Sequence, residues 1–297
     1  MRPEYEFLAG LLPRLQGLED GVVVPPGDDC AAVRWSAGEL LLLAVDQLIE
    51  GVHYYPDTDP ALAGRKLLAR NLSDIAAMGG RPLWALSALT FPADRADAWT
   101  DAFVDGMLAL ADECGVRIIG GDVAAGPTAN ASLTIAGRVA DEHICRRDAA
   151  KGGDVLLATG AFGGSLASGR HLSFPPRLAE GAWLAEEGWT RCMIDVSDGL
   201  LTDLRRICVA SGLSVVLDEA SVPTHVPLPE ALTDGEDYEL LLTVSASSLE
   251  PVLAAWPFAT TLTPIGRFCE DPACEVRNSE GATLRADGFQ HFAGAHS

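Results

Sequence analysis

Positive charge is scarce in this chain. Its 297 residues carry 21 Lys and Arg against 42 Asp and Glu, a formal net charge of −21. Such a surface repels nucleic acid and anionic membranes, so neither is expected as a partner. Long apolar runs are missing as well. The longest, residues 40–45, is far too short to span a bilayer, and MRPEYEFLAG lacks the basic stretch and long apolar run of a secretory leader. Seven cysteines, at 30, 114, 145, 192, 208, 269 and 274, include no CxxC pair, so neither a zinc site nor a disulfide framework follows. These absences predict a cytoplasmic protein with reduced thiols. No GxxxxGK[ST] or GxGxxG phosphate loop occurs, TGAFGGS reads as a turn between a strand and a helix, and no GxSxG elbow marks a serine hydrolase. Nucleotide binding here would need another device.

What is present is ordinary in bulk: 48% of residues are apolar, and the length suits roughly two domains. The patterning predicts a helix near 4–15, strands near 30–34 and 40–46, a helix over 61–78, a strand near 83–91, a helix near 95–114, and strands near 116–119 and 131–139. The polar, turn-rich DEHICRRDAAKGGD separates this from a second series. That series has strands near 154–159, 191–196, 213–217, 238–244 and 262–267, with helices near 164–187, 198–211 and 246–255. Mixed strands and helices in both halves predict an α/β or α+β architecture, divided into residues 1–140 and 150–297.

Five segments place an acid at an apolar boundary or inside an apolar helix. In PPGDDCAAV, Asp28 and Asp29 precede a strand; in ELLLLAVDQ a strand ends on Asp46; in RIIGGDVAAG a short buried strand ends in two glycines and Asp122. Asp74 lies within KLLARNLSDIAAMGG, and IDVSDGLLTDL brackets a strand-to-helix turn with Asp195 and Asp198, Ser197 standing where an N-cap belongs. Each has a plain reading: an Asx turn at 28–29, a loop acid at 46, a turn residue at 122, an i to i+4 partner of Arg70 at 74, dipole complementarity at 198. Together they would repel one another unless far apart or sharing cations. Hard divalent ions such as Mg²⁺ take oxygen ligands, and several would let an acidic protein hold a polyphosphate.

The stretches GDDCA, VDQLIEGVHY, NLSDIAAMGGRP, IIGGD, IDVSDGLLTDL and GEDYELLLTV resemble, in order and spacing, the thiamine-monophosphate kinase family of the aminoimidazole ribonucleotide synthetase-like superfamily. That resemblance implies a two-domain fold: an N-terminal mixed sheet with helices that dimerises, and a C-terminal α/β domain completing the nucleotide and substrate site. It implies ATP-dependent phosphorylation of thiamine monophosphate to thiamine diphosphate in a homodimer, assisted by several Mg²⁺ ions, with no general base. Carried over by position, Asp29, Asp46, Asp74, Asp122, Asp195 and Asp198 are expected metal ligands. Gly121, Asp122, Arg147 and Ser197 are expected to meet ATP, and His53, Glu236 and Phe289 to meet the substrate.

This chain departs from the family's pattern at Ala44 and Val45, where hydroxyl residues usually precede the aspartate, and at Val123 and Ala124, where threonines are expected. An RPxPR-like stretch is reduced to SFPPR at 173–177. Two alternatives stay open at this point: ATP-dependent chemistry on a different acceptor, and a non-catalytic ATP-binding protein. A selenophosphate synthetase would want a reactive Cys near the N-terminus, whereas Cys30 sits inside a predicted strand.

Overall fold

The computed structural model describes residues 4–15 and 21–285. After α1 (Glu4–Leu11) come β1 (Val22–Val24), β2 (Ala31–Ser36), β3 (Glu39–Ile49), α2 (Pro60–Ala77), β4 (Arg81–Phe91), α3 (Asp97–Cys114), β5 (Arg117–Ala125) and β6 (Asn130–Ala140). The strands form one sheet in the order β1-β2-β3-β6-β4-β5, with β4 and β5 parallel and the other pairs antiparallel. The chain continues through β7 (Val155–Thr159), α4 (Ser165–Ser168), α5 (Arg170–Ser173), α6 (Leu178–Glu186), β8 (Met193–Asp195), α7 (Leu200–Ser211) and β9 (Ser214–Leu217). It closes with α8 (Leu228–Thr233), β10 (Leu240–Val244), α9 (Leu249–Ala255), β11 (Leu262–Cys269) and β12 (Val276–Asn278). These strands make a second sheet, ordered β12-β9-β11-β7-β10-β8.

α2 is the element on which both sheets depend. Asp59 caps it by accepting from the Ala61 N–H at 2.9 Å, and Pro60 pre-sets its first turn. Its apolar residues Leu67, Leu68, Leu72 and Ile75 are fully buried with Leu40, Leu42 and Leu133 of the first sheet, while Ala76 and Ala77 pack with Leu184 of α6 and with Met193 and Leu240 of the second. α3 lies close against it because two glycines remove side chains at the crossing. A Cβ on Gly64 would stand 1.8 Å from the Phe103 carbonyl oxygen, and one on Gly106 would stand 1.9 Å from that of Ala61.

Several sequence expectations change. β3 does not end at Asp46 but runs on to Ile49, because β6 pairs with it along its whole length. The strand around 116–119 is not buried. β5 passes straight through Gly120, Gly121 and Asp122 as an exposed edge strand, and an apolar run alone does not distinguish an edge from a centre. The helices expected near 164–187 number three short ones, separated at Gly169 and at Pro175 and Pro176. β10 starts at Leu240 instead of 238, since Glu236 and Tyr238 hold positive φ angles of 67° and 51°.

Ser197 is not the N-cap of α7. Gly199 occupies that place, with φ of 120°, and a Cβ there would stand 2.7 Å from the Thr233 carbonyl oxygen. The buried Asp203 reaches back from the first turn instead, accepting the N–H groups of Ser197 and Asp198 at 3.0 Å each.

Candidate active site

Three distant segments meet where the two sheets approach. The β1–β2 connection supplies Asp29, α2 supplies Asp74, and β8 ends on the buried Asp195. One carboxylate oxygen of each lies within 4.8 Å of the other two. Ser73, beside Asp74, donates its hydroxyl to Asp195 Oδ2 at 2.6 Å. Burial, and then the charges of Asp46, Asp195 and Asp29, push the Asp74 carboxyl well above the ordinary carboxylate range; burial and then Asp29 do the same to Asp195.

Arg147, in the turn joining the two sheets, supplies positive charge. Its guanidinium bonds Asp29 and stands 3.6 Å from Asp28, while its backbone N–H donates to Asp28 Oδ2 at 3.0 Å. Even so, burial and the neighbouring Asp29 push Asp28 up to about 6. One guanidinium against four clustered carboxylates leaves an excess of negative charge. The donor set is all oxygen and spans both sheets, which suits hard divalent cations such as Mg²⁺ rather than zinc or copper.

The other expected ligands stand differently. Asp46, on the helix-facing side of β3, forms an ion pair with Arg70, Oδ2 standing 3.3 Å from Nε, and its backbone N–H donates to Asn71 Oδ1 at 3.2 Å. It borders the three-acid cluster and is held by a cation of α2. Asp198 bonds Arg206. Asp122 is set apart: it pairs through Ala88 and Ser132 to Gln47, whereas Asp46 pairs through Leu133 and Ser87 to Gly121. Asp122 therefore lies on the opposite sheet face from Asp46 and three strands away, roughly 14 Å by strand spacing. It does not join the cluster within this chain.

The substrate candidates converge on the same junction. His53 is buried in the turn after β3, where its Nδ1 accepts the Ile49 N–H at 3.0 Å, so the neutral ring carries its proton on Nε2. Glu236 donates its N–H to the Ser197 carbonyl at 2.7 Å, and Tyr238 and Glu239 exchange bonds with Val196, so GEDYEL runs alongside IDVSD. Lys66 of α2 joins His53 to Glu236. Phe289 lies outside the described residues.

Four side chains hold this arrangement, of which sequence reading noted only Arg70, as a partner of Asp74. Lys66 and Arg70 are one helical turn apart and in line with Asp74, a charged stripe on an otherwise apolar helix that could have been noticed. Asp203 shapes the turn of Ser197 and Asp198. Glu239 is fully buried and accepts two Arg177 N–H groups at 2.7 Å, the Thr159 hydroxyl at 2.8 Å, and Arg170. SFPPR thus has a definite place: Arg177 pairs with Glu239, and Phe174 stacks on Tyr238 at 4.0 Å.

The raised carboxyls fix the sign of a pH effect. Burial lifts Asp203 to about 7 and Asp237 to about 6, as it does Asp28, so the metal-free folded chain binds protons that the unfolded chain releases. Its stability rises as pH falls from about 7 toward the ordinary carboxylate range near 4. Chelator-treated protein should unfold at a higher temperature at about pH 5.5 than at about pH 8. Mg²⁺ should stabilise it more at the higher pH, because the ion requires deprotonated ligands. Thermal unfolding at the two pH values, with and without Mg²⁺, checks this; the opposite slope in the metal-free protein would refute it.

Known proteins match both sheets. Residues 27–139 match the family model described as AIR synthase related protein, N-terminal domain, and residues 151–277 match its C-terminal domain. The thiamine-monophosphate kinase of Escherichia coli O157:H7 is 34% identical over 324 aligned positions, covering 98% of each chain. The chain belongs to the thiamine-monophosphate kinase family. Among solved structures, AaThiL complexed with AMPPCP and TMP superposes with a TM-score of 0.86 at 26% identity, covering 98% of this chain and 97% of that one. Thiamine-monophosphate kinase from Stenotrophomonas maltophilia K279a superposes at 0.76 with 31% identity, over 93% and 96%.

Against the family's pattern, the unusual residues split between the two faces of the first sheet. Ala44 shares the helix-facing side with Asp46. Val45, 63% exposed, adds to an outer face already carrying Trp84 and Leu86, whereas Val123, 71% exposed on the edge strand, pairs through Leu89 and Ala131 to Leu48 on the helix-facing side.

Proposed function

We propose that the protein transfers the γ-phosphoryl group of ATP to thiamine monophosphate, giving thiamine diphosphate and ADP. The observation that carries this reading is the buried carboxylate cluster of Asp29, Asp74 and Asp195, built from both sheets in a chain of this family. Mg²⁺ bound there would neutralise phosphate charge and hold the reacting oxygens in line. Asp29, Asp74 and Asp195 would hold it, with Asp46 and Asp198 completing the set once Arg70 and Arg206 release them. Arg147 and Ser197 face the nucleotide phosphates in this reading, and Gly121 and Asp122, three strands away on β5, would reach a nucleotide only from a second copy. His53 and Glu236 lie on the acceptor side. The acceptor is a phosphate oxygen, already ionised near neutral pH, so the transfer needs orientation and charge neutralisation rather than a general base. The domain roles follow: 1–140 for ATP, Mg²⁺ and dimerisation, and 150–297 to complete the nucleotide and substrate site.

A homodimer is part of the same proposal. Val45, Trp84 and Leu86 form an exposed apolar face on an otherwise acidic chain, and a second copy of that face is the occupant it suits. Asp122 stands on this face, which would put it at the dimer junction. A monomer by sedimentation at micromolar concentration would count against pairing. All seven thiols are free, in keeping with a reducing cytoplasm, and among the described residues no helix is long and apolar enough to cross a membrane.

The deciding experiment is chromatography of products from purified protein, ATP, Mg²⁺ and thiamine monophosphate, with thiamine as control acceptor. Equal amounts of thiamine diphosphate and ADP from the monophosphate alone are expected. Mg²⁺-dependent ATP binding without product would point to a different acceptor.

A further inference from the structure

Lys66 is a buried charged side chain with no evident task in phosphoryl transfer. It is 0% exposed, and burying an ammonium is costly unless specific partners meet it. Two do: its Nζ donates to the His53 carbonyl oxygen at 2.7 Å and lies 2.7 Å from Glu236 Oε2. The first partner belongs to the turn after β3, the second to the loop before β10, so one lysine on the shared helix ties an irregular segment of each half to the other. Glu236 needs such a tie. Its φ of 67° lies in the left-handed region, where a side-chain-bearing residue stays only when its surroundings hold it. The bond from its N–H to the Ser197 carbonyl fixes its backbone, and Lys66 fixes its carboxylate. The Glu236 side chain keeps 17% of its surface exposed, enough to meet a ligand while so held.

We propose that Lys66 is a positioning residue for the phosphate acceptor, setting the separation between Glu236 and the His53 turn while touching neither ATP nor the acceptor. This rests on the assignment of His53 and Glu236 to the acceptor side. A lysine serving only the core would weaken both substrates alike when removed. A lysine acting through Glu236 weakens the acceptor alone, and its removal adds little once Glu236 has lost its charge.

The test is steady-state kinetics on Lys66→Met, Glu236→Gln and the double variant, with thiamine monophosphate and ATP varied in turn. Lys66→Met should raise KM for thiamine monophosphate about 10–100-fold and change KM for ATP less than about twofold. The double variant should be no worse than Glu236→Gln alone. Unchanged acceptor KM in Lys66→Met, an equal rise in both KM values, or additive losses in the double variant would overturn the proposal. Should Lys66→Met fail to fold, the double variant, which leaves no unpaired charge, takes its place: an acceptor KM matching Glu236→Gln supports the tie. A wild-type acceptor KM there, or a second failure to fold, assigns Lys66 to the core and overturns it. Absence of thiamine monophosphate turnover in the unmodified enzyme is a separate result and would remove the acceptor assignment itself.

Discussion

Replacing Asp74 with asparagine should lower turnover by about 1,000-fold or more while leaving the chain folded. The two halves of that expectation have one cause. Asp74 sits with Asp29 and Asp195 in a cluster whose oxygens lie within 4.8 Å of one another, and burial with repulsion lifts its carboxyl well above the usual range. Asparagine keeps the volume and removes the charge, so the metal-free protein loses a source of repulsion and should unfold at the same temperature or higher. Catalysis loses a cation ligand that amide oxygen replaces poorly. Product assays beside thermal unfolding check both; near-normal turnover would take Asp74 out of the metal site, and an unfolded variant would make it a structural acid.

Replacing Arg147 with methionine should act in the reverse sense on stability. In the metal-free chain this guanidinium holds Asp29 and neighbours Asp28, and removing one partner of a buried ion pair costs about 3 kcal/mol. Mg²⁺ neutralises the same carboxylates, so it should restore more stability to the variant than it adds to the parent. Once the ions are bound, Arg147 is free to meet the nucleotide, and KM for ATP should rise about 100-fold even at saturating Mg²⁺. Thermal unfolding against Mg²⁺ concentration, with ATP kinetics, separates these roles: a normal KM for ATP at saturating Mg²⁺ would leave Arg147 as a counter-ion alone.

The acids themselves were legible because each stands out against apolar surroundings. Asp195 closes a buried strand, with Ser73 as its hydrogen-bond partner and the carboxylates of Asp29 and Asp74 beside it. Less legible was what holds them. Asn71 and Ser73 support Asp46 and Asp195 from one helix, but their partners are far away in sequence, and spacing within NLSD says nothing of them. Asp203 was hidden for a similar reason: it reads as an exposed acid in a helix's first turn, whereas it is buried and folds back onto the turn before it. The setting of Asp122 was misread because RIIGG suggests a strand that stops, and only pairing with β4 reveals an edge strand that continues, with the aspartate on its outer face. Side-chain period and motif order specify the elements; which face and which edge an acid occupies is decided by the register between strands.

The most direct test of shared cation binding is anomalous diffraction from crystals grown with Mn²⁺ in place of Mg²⁺ and a non-hydrolysable ATP analogue. At least one peak should lie about 2–2.3 Å from carboxylate oxygens of Asp29, Asp74 and Asp195, between them and the nucleotide phosphates. A nucleotide bound with no metal at those three residues would contradict it.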